Sequence, residues 1–100
     1  MIYITQWIFI KKGKEKGFLE CESLDIPIME KYNGKIIYRI RPTEDSFVNK
    51  TIKKPYEIYF ISFEAEDDLN RFLQDEDRNQ LIHLKEESIE STILVKGVKM

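Results

Sequence analysis

The amino-acid sequence predicts an α+β fold of strand–helix–strand–strand–helix–strand order, in a single domain over residues 1–100. Three observations carry this expectation. Four stretches, 2–10, 35–41, 56–63 and 92–98, are rich in the β-branched and aromatic residues that suit a pleated, half-buried surface. Two intervening stretches carry apolar residues at helical spacing. Between them stand turn-forming residues such as Gly13, Asn33-Gly34 and Pro42.

The first strand stops at Lys11-Lys12-Gly13-Lys14, a polar turn whose lysines read as a solvated loop. A helix is expected from about Lys14 to Tyr32. At 100° per residue, Phe18, Cys21, Leu24, Ile28, Met29 and Tyr32 share one face, with Glu20, Ser23, Glu30 and Lys31 opposite. Pro27 lacks an amide donor and crowds the preceding turn, so a kink or break near Asp25 is expected. Asn33-Gly34 closes the helix, because both residues tolerate left-handed backbone. After the second strand, 42–55 is a long connection, with Phe47-Val48 and Thr51-Ile52 flanking Asn49-Lys50 as a possible hairpin. The third strand leads into acids at 64–68 that suit a helix N-terminus. Leu69, Phe72 and Leu73 are expected to face the core. The phase breaks at 75–77, and Leu81, Leu84 and Ser88 define one side of a further helical piece before the last strand.

Composition bounds the class. With 42% hydrophobic and 34% charged residues the chain is globular in type, and 100 residues suffice for one core. One cysteine, Cys21, excludes an intramolecular disulfide and a cysteine-rich metal site, and points to a reducing, cytoplasmic setting. No apolar run reaches bilayer length, and no secretory leader is visible. A net charge of −2 lacks the basic bias of nucleic-acid binders. Neither nucleic acid nor membrane is an expected partner.

The element order is that of the ferredoxin-like fold, a four-stranded antiparallel sheet with two helices on one face. The other face of such a sheet is ordinarily polar. Here Ile2, Ile4, Ile8 and Ile10 line one face of the first strand, and Tyr3, Trp7 and Phe9 line the other. In the third strand Ile58 and Phe60 oppose Tyr59, Ile61 and Phe63. Both faces of the two central strands are therefore apolar, and leaving them wet forfeits roughly 1.5–3 kcal/mol per large side chain. A second copy packed sheet to sheet is the economical cover, with Trp7, Phe9, Tyr59 and Phe60 as core or interface residues. The alternative is a monomer shielded by the 42–55 connection or the C-terminal tail.

Several local patterns together resemble the dimeric α+β barrel superfamily, and within it a family of small bacterial proteins of unknown function. They are the opening strand leading to a charged turn and Phe18, a proline in the first helix, and Lys31-Tyr32-Asn33-Gly34-Lys35. Further on come Pro55 ahead of the third strand ending in Phe63, Phe72 in the second helix, and the closing Val95-Lys96-Gly97. Lys35 stands where a second glycine is usual, and the glutamate-glycine pair common in the central loop is not visible near Val48-Asn49. The resemblance implies fold and homodimer far more strongly than any reaction, since the superfamily spans cofactor-free monooxygenases, isomerases, haem-degrading enzymes and stress-responsive proteins.

The sequence shows no catalytic constellation, metal-ligand cluster, phosphate loop or nucleophile elbow. The only histidine, His83, opposes Leu81 and Leu84 and is expected at the surface, and Cys21 reads as a buried thiol. Candidate ligand-binding residues are Asp25, Arg39 and Arg41. The arginines share one face of the second strand and could hold an anion beside the carboxylate, in a cleft between helices and sheet. If the helix breaks before Pro27, Asp25 is instead an N-cap, and edge-strand arginines can simply oppose strand addition. The expected function is a small homodimer binding a small molecule, with no cofactor. The alternative is a cofactor-independent monooxygenase- or isomerase-like enzyme acting on a small hydrophobic or aromatic substrate. An RNA-binding domain shares this strand order, but the third strand carries Glu57 and no glycine.

Overall fold

The computed structural model describes residues 1–48 and 51–100. Its elements in chain order are β1 (Ile2–Ile10), α1 (Glu15–Lys31), β2 (Gly34–Ile40), β3 (Glu57–Phe63), α2 (Glu66–Leu73), α3 (Glu76–Asn79), α4 (Ile82–Ser88) and β4 (Ile89–Gly97). The strands form one antiparallel sheet in the order β2-β3-β1-β4. This is the expected ferredoxin-like arrangement, with the second helical region divided into three short helices. The hairpin expected at Asn49-Lys50 falls outside the described residues. Among the described residues of 42–55, the one regular element is a 3-10 turn at Glu44–Ser46.

Glu57, Tyr59, Ile61 and Phe63 of β3 point toward the helices and are buried, as are Ile2, Ile4 and Ile8 of β1. Phe18, Cys21, Ile28 and Met29 of α1 and Leu69, Phe72 and Leu81 of the later helices pack onto them. Leu24 is 46% exposed, which corrects its expected place in the core. The helix is rotated so that Glu22 and Asp25 occupy the buried arc in its stead. Leu73, also expected in the core, is 44% exposed, because α2 ends there while Leu69 and Phe72 take the sheet-facing positions.

Pro27 does not break α1. The helix runs on to Lys31, and its last turns bury Ile28 and Met29, which offsets the roughly 3 kcal/mol that an interior proline costs. Asp25 is therefore a mid-helix residue facing inward, not an N-cap. Asn33 takes the left-handed conformation at φ 60° and ends the helix. Gly34 then lets strand and helix approach closely. A Cβ there would overlap the Met29 side chain and come within 2.7 Å of the Phe63 ring and 2.9 Å of the Met29 carbonyl oxygen.

A β-bulge in β2 determines which residues reach the helix side. Ile36 pairs with Ile61 and Tyr38 with Phe60, so Ile37 is the extra residue. The bulge reverses the alternation, placing Arg39 opposite Tyr59 on the helix side and Tyr38 and Ile40 on the outer face. On that outer face Tyr3, Phe60 and Tyr38 stack across three strands, with ring centroids 5.6 and 5.2 Å apart. Trp7 pairs with Ile58 on one side and Ile93 on the other. Tyr38, Ile93 and Val95 are at least half exposed. Phe9 is covered, with the Lys53 ammonium 4.7 Å from its ring centre, so the described part of the 42–55 connection shields that end. The outer face is thus apolar and largely bare in the single chain.

Candidate functional site

Between the helices and the inner sheet face lies a cleft of about 360 Å³. Ile4, Ile36, Ile61 and Phe63 of the sheet and Met29 and Phe72 of the helices give it an apolar wall. Leu73 and Leu94, both lining it and both about half exposed, mark its open side. Glu22, Asp25, Tyr59, Arg78 and Lys85 converge in the same cleft, and Gln6, which pairs with Leu94, lines it too. An apolar body with a few convergent polar groups is the usual form of a small-molecule site.

Asp25 accepts a hydrogen bond from the Lys85 ammonium at 3.1 Å. The Arg78 Nε stands 3.4 Å from the other carboxylate oxygen, close enough to attract but not aligned as a hydrogen bond. Both atoms of that contact are buried and lack a hydrogen-bond partner. The Arg78 guanidinium lies over the Phe72 ring, 4.6 Å from its centre. Charge attraction without a hydrogen bond therefore holds the Arg78 Nε against Asp25.

Glu22, one turn before Asp25, is 7% exposed. Burial pushes its carboxyl up to about 7, and the neighbouring Asp25 charge adds to the rise. The Tyr59 hydroxyl, Lys85 and Arg39 act the other way. Tyr59 is 2% exposed, and burial, with Glu22 and Glu57 close by, holds its phenol well above the ordinary range. The phenol stays protonated and can donate. Its hydroxyl lies 3.4 Å from the Glu57 carboxylate, a long hydrogen bond, and also neighbours Glu22. Behind Tyr59, the Arg39 guanidinium donates to both oxygens of Glu57, and Arg41 reaches the same carboxylate at 3.4 Å. Glu57 is 2% exposed, so these arginines are what make its burial tolerable.

The structure thus splits the three candidate ligand residues. Asp25 lies in the cleft. Arg39 and Arg41 do share a face, but their partner is Glu57, and Arg41 also lies over the Tyr56 ring at 4.0 Å. Of the interface-or-core set, Trp7, Phe9 and Phe60 lie on the outer face and Tyr59 beside the cleft. Glu22, Glu57, Arg78 and Lys85 were not singled out from the sequence. Phe18, Glu22, Asp25 and Met29 follow one helical stripe, so two acids interrupting an apolar row were a visible signal. Glu57 similarly heads the inward alternation Tyr59, Ile61, Phe63. Arg78 and Lys85 gave none, because the breaks after α2 scramble the helical phase. Cys21 is fully buried, and burial raises its thiol to about 11. His83 is exposed. Among the described residues no group of three His, Cys, Asp or Glu side chains could hold a metal ion, and no helix is long and apolar enough to cross a membrane.

No protein-family model matches the chain, and comparison with curated proteins finds no match. Solved structures do match. Protein RPA0582 of Rhodopseudomonas palustris, of unknown function, superposes with a TM-score of 0.83 at 7% identity over 99% of this chain and 82% of that one. A dabb family protein with a ferredoxin-like fold from Mesorhizobium loti gives 0.74 at 12% identity, covering 99% and 96%. A candidate antibiotic biosynthesis monooxygenase from Nitrosomonas europaea gives 0.75 at 9%, covering 100% and 99%. The likeness establishes the ferredoxin-like fold and transfers no residue role.

Proposed function

We propose that this chain is a small-molecule-binding protein that works as a homodimer, with one ligand cleft in each protomer. The observation that carries the reading is the cleft itself, an apolar chamber of about 360 Å³ ending in Glu22, Asp25, Arg78 and Lys85. Its ligand has an apolar body and one polar end, the latter facing the Arg78 and Lys85 charges that line the cleft. Arg39 and Arg41 support the site through Glu57 instead of touching the ligand. The bare apolar outer face, with Ile93 and Val95 exposed, is the surface for the second copy. The free cysteine fits a cytoplasmic setting.

Titration of the labelled chain with small phenols and aromatic carboxylates, followed by amide NMR, tests the cleft. Shifts are expected at Glu22, Asp25, Arg78 and Lys85. Shifts confined to Tyr3, Phe60 and Val95 would transfer the site to the outer face and refute the reading. Light scattering across a dilution series tests the assembly, with a mass twice 12.0 kDa expected and a mass of one chain refuting the dimer. A second reading, a cofactor-independent isomerase- or monooxygenase-like enzyme acting on a small hydrophobic or aromatic substrate, is favoured by one observation: Glu22 sits deep in the cleft with its proton poised near neutrality.

A further inference from the structure

We propose that Glu22 is a proton-transfer residue for a small carbonyl compound bound in the cleft, with Tyr59, Glu57 and Arg39 as the positioning chain behind it. The inference rests on the cleft being a ligand site. The geometry has three parts. Glu22 is buried at the polar end of an otherwise apolar chamber, where a carboxylate is poorly solvated and correspondingly basic. The Tyr59 hydroxyl neighbours it and donates to Glu57, whose carboxylate Arg39 grips with two donors. Arg78 and Lys85 line the same chamber and supply positive charge that Asp25 alone neutralises only in part.

This arrangement matches the needs of an isomerisation by proton shift. The Glu22 carboxylate takes a proton from the carbon next to the carbonyl. The C–H bond pair moves to form the enolate, whose oxygen faces Arg78 and Lys85. In a β,γ-unsaturated carbonyl compound this enolate is a dienolate, so return of the proton from the Glu22 carboxyl to the γ-carbon brings the C=C bond into conjugation with the carbonyl and regenerates the carboxylate. No electrons leave the ligand, so no oxidant or reductant is consumed. The groups that act on Glu22 are Cys21 and Asp25 on its own helix, Tyr59 and Arg39 from the sheet, and Lys85 from α4, with Arg78 and Glu86 lining the same cleft. Its carboxylate fraction rises through about pH 7, and the rate should rise with it.

A probe that needs no knowledge of the natural substrate is nitrobenzisoxazole, a flat carbon acid. Loss of its ring proton to a base breaks the N–O bond and releases a coloured cyanonitrophenolate. Nitrobenzotriazole has the same shape, lacks the reactive C–H bond, and reports binding alone. The full-length chain is expected to accelerate phenolate release with a rate that climbs through neutral pH. Glu22→Gln, the neutral isostere, should lose roughly a hundredfold in rate while still binding nitrobenzotriazole. Tyr59→Phe removes the hydroxyl that works against the rise of the Glu22 carboxyl, so the midpoint of the pH profile should move upward, a change that a purely structural role would not produce. Undiminished release by Glu22→Gln overturns the inference. Binding of nitrobenzotriazole without any catalysed release overturns proton transfer and leaves the binding cleft standing. Failure to bind nitrobenzotriazole at all overturns both.

Discussion

Replacing Glu22 by glutamine should change how stability depends on pH. In the folded chain the carboxyl is raised from 4.5 to about 7 by burial and by Asp25. The folded state therefore keeps a proton that the unfolded chain releases above 4.5. Stability from this group is fully present below that value, declines as pH rises, and is gone above about 7. At about 1.4 kcal/mol per pKa unit, the rise corresponds to a loss of about 3 kcal/mol across that window. Glutamine resembles the protonated form and carries no such dependence. The variant should equal the wild type near pH ~3.5, below the unfolded value, and exceed it near pH ~8 by about 3 kcal/mol. In a domain of this size that corresponds to roughly 10 °C or more in Tm. Urea unfolding of both chains at a series of pH values and one fixed protein concentration measures it. Parallel pH profiles for the two chains would refute the account of Glu22 as a buried, proton-holding group.

Other perturbations follow from the same packing. Gly34→Ala should cost about 2–3 kcal/mol in urea unfolding, because the new methyl overlaps Met29 and Phe63 and one of the clashing atoms is backbone. A neutral result would mean that β2 and α1 are farther apart than described. Arg39→Ala should cost about 2 kcal/mol by leaving Glu57 with Arg41 alone, less than for a wholly buried pair because Arg39 still meets water. Adding Glu57→Gln should recover part of that loss, and strict additivity of the two changes would contradict the pairing. Ile93→Asp places a charge on the bare outer face and should halve the mass seen by light scattering without unfolding the chain. An unchanged dimeric mass would put the interface elsewhere.

The fold was legible because β1 and β3 carry apolar residues on both faces, and because Asn33-Gly34 and Pro42 punctuate the chain as their backbone preferences demand. The site was only half legible. Period-two alternation counted from Gly34 sends Arg39 to the outer face. The extra residue at Ile37 brings it to the helix side, and nothing in the composition of Lys35–Arg41 announces a bulge. Pro27 pointed to a broken helix, yet burial of Ile28 and Met29 beyond it outweighs the lost hydrogen bond, and continuity is what carries Asp25 into the cleft. Leu24 gave up its expected core place, and Glu22 is buried, for a reason no single-helix pattern contains. The cations that make buried acids tolerable come from the sheet edge and from α3 and α4, far away in sequence.

The most direct test of the cleft's chemistry is the titration of Glu22 itself, by carbon NMR of side-chain-labelled glutamate, with the signal assigned by its loss in Glu22→Gln. A midpoint near 7 would establish the poorly solvated, proton-holding carboxyl on which proton transfer depends. A midpoint near the ordinary 4.5 would mean that water reaches Glu22 freely, and would contradict the cleft as described.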